Sequence, residues 1–119
     1  MQVIVAESLG MCFGVRDAVA ATRSIENPGR VTIYGELVHN EAIRAELSHR
    51  GFVETPEDRR DELPETPEVL VTAHGVSDRV RSRLERAGKR VLDTTCPLVK
   101  RAHQAARALA DEGYHVLII

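Results

Sequence analysis

Hydrophobic positions along the chain alternate between two textures. Short, nearly continuous aliphatic runs occur at Val3-Ile4-Val5, Val31-Thr32-Ile33-Tyr34, Val69-Leu70-Val71-Thr72, Val91-Leu92 and His115-Val116-Leu117-Ile118-Ile119. Runs this short and apolar are the pattern of strands covered on both faces. Between them, apolar residues recur every three or four positions. Val15, Ala18, Val19, Thr22 and Ile25 predict a first helix that stops at Asn27-Pro28-Gly29. A second is expected to start at the N-cap Asn40, bury Ile43 and Leu47, and end at Gly51. A third follows Ser77, turning Val80, Leu84 and Ala87 inward before Gly88. A fourth starts at Pro97, a favoured first helical residue, and runs through Val99, Ala102, Ala106 and Leu109 to Gly113. Residues 54–67 are acidic and contain Pro56, Pro64 and Pro67, so they read as a surface loop with one helical turn at most.

The resulting order, β-α-β-α-β-α-β-α-β, predicts an α/β fold with a mostly parallel sheet flanked by helices. The sequence stops at Ile119, inside an apolar strand pattern. A buried parallel strand normally leads into a further loop and helix. Residues 1–96 are therefore expected to form one complete α/β unit, and residues 97–119 the truncated start of a second.

Composition narrows the class. Of 119 residues, 43% are hydrophobic and 29% charged, as in soluble globular domains. Aromatics are only 3%, so Val, Leu, Ile and Ala must build the core. A net charge of -2 offers no basic footprint for nucleic acid. The Arg-rich stretch 79–90 is interleaved with acids and apolar residues, the pattern of a solvated helix face. No apolar run approaches the roughly 18 residues of a membrane span, and the start lacks the basic region of a signal peptide. A cytoplasmic protein without membrane or nucleic-acid partners is expected. In that compartment the two cysteines are not expected to form a structural disulfide. They read as buried spectators, metal ligands or redox groups.

Candidate chemistry gathers at the predicted strand-to-helix junctions. Cys12 lies in Gly10-Met11-Cys12-Phe13-Gly14, His39 in Gly35-Glu36-Leu37-Val38-His39-Asn40, His74 in Thr72-Ala73-His74-Gly75-Val76-Ser77 and Cys96 in Asp93-Thr94-Thr95-Cys96-Pro97. In an open α/β sheet these junctions lie at the carboxyl ends of the strands, where ligands bind. Helix N-termini there offer unpaired N–H groups and partial positive charge, which suit a thiolate ligand or a phosphate. Glycines on both sides of Cys12 allow the backbone to approach a bulky group. Taken singly, each residue has a plain reading: a cysteine as a small buried hydrophobe, a histidine as a surface or capping group. His49, His103 and His115 have no comparable placement. Glu36 and Asn40 flank His39, either to orient it or, for Asn40, to cap a helix. Two Cys and two His would suit tetrahedral zinc, although no two of them have the close spacing of zinc-finger pairs. A stand-alone zinc- or phosphate-binding module is one alternative. A Cys12/Cys96 redox pair is another, and needs Cα atoms within about 7 Å. No G-x-G-x-x-G or P-loop pattern supports nucleotide binding.

The motifs Gly10-Met11-Cys12-Phe13-Gly14-Val15, Gly35-Glu36-Leu37-Val38-His39-Asn40, Ala73-His74-Gly75-Val76-Ser77 and Asp93-Thr94-Thr95-Cys96-Pro97-Leu98-Val99 resemble, in order and spacing, those of the LytB/IspH family. That family comprises the iron–sulfur reductases of 4-hydroxy-3-methylbut-2-enyl diphosphate in the non-mevalonate (MEP/DOXP) isoprenoid pathway. The resemblance implies three α/β units around a [4Fe-4S] cluster, with one cysteine from each, and residues 1–12 packing toward the C-terminal unit. It implies Cys12 and Cys96 as cluster ligands, and His39 and His74 as contacts to the diphosphate of a small allylic substrate. It further implies a reduced ferredoxin or flavodoxin as electron donor. Met11 and Phe13 depart from the family's usual Phe before and Ala after the first cysteine. The third cysteine ligand and the proton-donor glutamate are expected beyond residue 119, so the chain alone is expected to be inactive.

Overall fold

The computed structural model describes residues 1–5 and 10–117. The chain runs α1 (Phe13–Arg23), β1 (Val31–Tyr34), α2 (Glu41–His49), β2 (Val53–Thr55), β3 (Glu68–Val71), α3 (Asp78–Arg86), β4 (Arg90–Asp93) and α4 (Pro97–Asp111). Single 3-10 turns occupy Pro28–Arg30 and Glu57–Arg59. The helices begin where capping chemistry predicts. Asn40 accepts the Ile43 N–H at 3.1 Å ahead of α2, and Ser77 accepts the Val80 N–H at 3.3 Å ahead of α3. Cys12 and Cys96 are the N-caps of α1 and α4, and neither makes a side-chain capping bond.

All four strands are parallel, in the order β2-β1-β3-β4. The register sets Thr55, Tyr34, Val71 and Asp93 side by side, so the last residues of the four strands form one row. Every following loop therefore leaves the same edge. Alternation along the strands divides the core between the two faces. Val31, Ile33 and Leu70 pack with Ala18 and Val19 of α1 and Leu47 of α2. Tyr34 and Val69 pack with Leu84 of α3 on the other. Ile33, Val69, Leu70 and Leu84 are at most 1% exposed. Tyr34 also ties the 3-10 turn after β2 to α3: its hydroxyl donates to the Arg60 carbonyl and accepts from Arg83 Nη2 at 2.7 Å. Arg83, within the predicted solvated face, is thus a structural strap.

Three expectations are corrected. Val3-Ile4-Val5 is not a strand: residues 1–5 pair with neither sheet edge, and those three side chains are 74%, 84% and 67% exposed. Apolar character without a neighbouring edge does not make a strand. Residues 115–117 are likewise outside the sheet, with Leu117 exposed, and Ile118 and Ile119 lie outside the described residues. Conversely, Val53–Thr55 is a strand. It is a short edge strand with exposed Val53, followed by Pro56, so it lacks the apolar run of a central strand. The single turn expected within 54–67 is present. Among the described residues, no helix is long and apolar enough to cross a membrane.

Leu84 is the one fully buried residue of α3. Leu84→Ala is expected to cost about 2–5 kcal/mol of stability, while the exposed Arg79→Ala should stay within about 0.5 kcal/mol. Urea unfolding of the two variants checks this ordering.

Candidate functional site

The loops leaving the carboxyl edge are stitched to one another by backbone hydrogen bonds. Thr94 N–H donates to the Val71 carbonyl at 3.0 Å, its hydroxyl donates to the same oxygen at 2.6 Å, and Cys96 N–H donates to the Ala73 carbonyl at 3.0 Å. The loop that carries His74 is thereby bonded to the loop that carries Cys96. Gly75 makes the first loop's turn at φ +74°, where a side chain would be strained, and a Cβ there would stand 2.9 Å from Thr95 Cγ2.

Asp93, the last residue of β4, organises the second loop. Its Oδ1 accepts the Thr95 N–H at 2.9 Å and the Thr95 hydroxyl at 2.5 Å. Its Oδ2 accepts from Arg81 of α3 and lies 2.9 Å from Lys100 Nζ in the first turn of α4. Burial alone would raise this carboxyl's pKa. The hydrogen bonds from Thr95 and Lys100, with the Lys100 charge, outweigh burial and bring it down to about 2. Asp93 therefore fixes the strand-to-helix turn that presents Cys96.

Cys96 is buried and Cys12 exposed, and both are free thiols. Gly14, in the first turn after Cys12, lies directly against the Cys96 side chain. A Cβ built on Gly14 would stand 2.5 Å from Cys96 Sγ, so only glycine allows this approach. The thiols head two helices whose N-terminal turns meet. Cys12 itself follows irregular chain rather than the strand expected before it.

The histidines form the second pair. His39 is exposed in the loop between β1 and α2, and His74 is exposed in the loop between β3 and α3. Their ring centroids are 6.4 Å apart, with the planes tilted by 42°. His39 Nδ1 lies 2.9 Å from Glu36 Oε2. An open groove of about 710 Å³ runs past His74, Ser77, His103 and Arg107. His103, which the sequence pattern left without a role, thus shares the groove with His74. Among the described residues, no three His, Cys, Asp or Glu side chains gather as a metal-holding group. The four-ligand zinc arrangement of Cys12, His39, His74 and Cys96 is therefore corrected: the structure brings His39 to His74, and the head of α1 to Cys96. Asp93, Arg81 and Lys100 were missed by sequence reasoning. An Asp followed by two Thr ahead of an N-cap was the available signal, because such a carboxylate commonly bonds backbone two residues on.

The LytB protein family model matches residues 3–119. The chain belongs to the LytB family. Over 122 residues it is 34% identical to the 4-hydroxy-3-methylbut-2-enyl diphosphate reductase of Thermoanaerobacter sp. (strain X514), covering 100% of this chain and 42% of that protein. The enzyme of the same name from Deinococcus radiodurans is 37% identical over 123 residues, covering 99% of this chain and 37% of that protein. Among solved structures, (E)-4-hydroxy-3-methyl-but-2-enyl diphosphate reductase, the terminal enzyme of the non-mevalonate pathway, superposes with a TM-score of 0.73. It is 35% identical, and the match covers 94% of this chain and 40% of that one. The Plasmodium falciparum E-1-hydroxy-2-methyl-but-2-enyl-4-diphosphate reductase superposes with a TM-score of 0.72 at 25% identity, covering 88% and 33%. This LytB-family chain thus spans about two fifths of the length of the relatives named first.

The depressed Asp93 pKa has a defined consequence. A carboxyl held below its unfolded value of about 3.9 stabilises the fold above that pH, and the contribution is lost as pH falls toward about 2. Asp93→Asn should be less stable than the parent above pH ~4, with the gap closing toward pH ~2. Chemical denaturation across that range checks it.

Proposed function

We propose that this chain supplies two thiolates and two diphosphate-binding imidazoles to an iron–sulfur reductase of the non-mevalonate isoprenoid pathway. The reaction is reductive dehydroxylation of 4-hydroxy-3-methylbut-2-enyl diphosphate. Two electrons and two protons are consumed, the allylic C–O bond breaks, the oxygen leaves as water, and isopentenyl or dimethylallyl diphosphate results. The observation that carries this reading is the pairing of His39 and His74, 6.4 Å apart, on the same sheet edge as two N-cap thiols. Membership of the LytB family and the reductase names of its relatives support the same reading.

The chain's own residues divide the work. His39 and His74 are exposed imidazoles that can donate to oxyanions. Their spacing suits one anion touched from two sides. Cys12 and Cys96 are soft donors of the kind iron–sulfur clusters take, and neither sulfur is committed to a capping bond. A bound [4Fe-4S] cluster would supply electron transfer and Lewis acidity at the hydroxyl. The sequence contains two cysteines, one fewer than the three that the family resemblance implies, so the third thiolate would come from outside this chain. Helix α4 has no fully buried residue and exposes Leu98 and Leu109. That supports residues 1–96 as a first α/β unit, with residues 97–119 beginning a second. Electrons would come from a reduced ferredoxin or flavodoxin in the cytoplasm.

Two measurements test the reading. A hydrogen bond to a charged group is worth about 1.5–3 kcal/mol, so His39→Ala and His74→Ala should each weaken inorganic pyrophosphate binding by about 10- to 100-fold in calorimetry. Unchanged binding in both variants would remove the imidazoles from the site. After anaerobic reconstitution with iron and sulfide, the chain alone should hold well under one cluster per molecule and show no turnover. A stable stoichiometric cluster with turnover would show that the two cysteines suffice.

A further inference from the structure

His39 is the outermost group of a chain of charges that crosses three elements. Its Nδ1 lies 2.9 Å from Glu36 Oε2. The other oxygen, Glu36 Oε1, lies 3.3 Å from Arg44 Nη1 on α2. Arg44 Nε in turn donates to Glu54 Oε2 on β2 at 2.9 Å. His39 is the most exposed member and Glu54 the least: the side chains of His39, Glu36, Arg44 and Glu54 are 82%, 30%, 42% and 19% exposed. An exposed imidazole is thus braced by more buried partners. An isolated surface ion pair orders little. Here Arg44 bridges two carboxylates, and that holds the Glu36 carboxylate facing the ring.

We infer that Glu36 is a positioning residue that, braced by Arg44 and Glu54, fixes the His39 ring with Nδ1–H toward the protein and Nε2 toward the diphosphate. The chemistry follows from the two ring nitrogens being distinct. A carboxylate can only accept, so the nitrogen facing it must carry a proton. Nε2 is left as the nitrogen that meets a ligand. When Nε2 also carries a proton, the ring donates to an oxyanion while Glu36 balances its charge. A ring free to turn would spend much of its time presenting the wrong nitrogen, and ordering it would cost binding energy. The inference rests on the diphosphate-binding reading above for what His39 faces, but the orientation of the ring can be measured without any ligand.

The experiment is side-chain nitrogen NMR of the full chain, at a pH where the imidazoles are neutral. The parent His39 should show the Nδ1–H tautomer. Glu36→Ala should move it to the mixture of a free imidazole, which favours Nε2–H. Glu36→Gln, which keeps an acceptor oxygen, should restore Nδ1–H. Arg44→Met should shift it part of the way, and His74 should keep its parent signature throughout. An intact amide spectrum shows that each variant folds. The same His39 tautomer in the parent, Glu36→Ala and Arg44→Met would overturn the inference, as would the Nε2–H form in the parent. Inorganic pyrophosphate added to the parent at a lower pH, where both ring nitrogens carry protons, then separates the two claims. Movement of the His39 and His74 ring signals supports the diphosphate reading. No movement at millimolar pyrophosphate sinks that reading, while the role of Glu36 in setting the tautomer stands on the ligand-free spectra.

Discussion

The parallel register of β3 between β1 and β4 is the constraint on which the site depends. Because Tyr34, Val71 and Asp93 lie in one row, the three loops that follow them emerge together. His39, His74 and Cys96 occupy those loops. A slip of one residue would turn each strand's side chains to the opposite face, taking Ile33 and Leu70 away from α1 and α2 and Tyr34 and Val69 away from α3. The hydrophobic energy that fixes the register therefore also fixes which loops meet. The hydrogen bonds from Thr94 and Cys96 to Val71 and Ala73 carry that order a few residues past the strands.

The site has two supporting layers with different chemistry. On the thiol side the support is steric and charged: Gly14 leaves room for Cys96, and Asp93 gathers Thr95, Arg81 and Lys100 to shape the turn before it. On the imidazole side the support is a relay of ion pairs from Glu54 through Arg44 to Glu36. Both layers hold a candidate ligand group through neighbours on adjoining elements. Such an arrangement keeps functional side chains near one geometry, as binding sites require.

Much of this was legible in the sequence because it is local. Asn40, Ser77 and Pro97 mark helix starts through chemistry within three residues, and the apolar runs 31–34, 69–72 and 91–92 mark β1, β3 and β4. His39, His74 and Cys96 were legible as junction residues for the same reason, whereas Cys12 heads α1 without the expected strand at residues 3–5. What failed was non-local. Val3-Ile4-Val5 has the composition of a strand but no edge to join, and Val53–Thr55 is a strand through its pairing with β1 rather than its own pattern. The Arg44–Glu54 link could not be read without knowing that β2 exists. The grouping of the four candidates into two pairs likewise depends on which helix ends and loops meet in space.

The diphosphate-binding reading requires that His39 and His74 form one anion site rather than two unrelated surface histidines. A crystal structure of the chain with pyrophosphate would decide between these. One anion should lie between the rings, with oxygens within hydrogen-bond distance of both imidazoles and His39 Nδ1 still on Glu36. An anion bound elsewhere on the sheet edge, with the rings turned away from it, would refute the shared site.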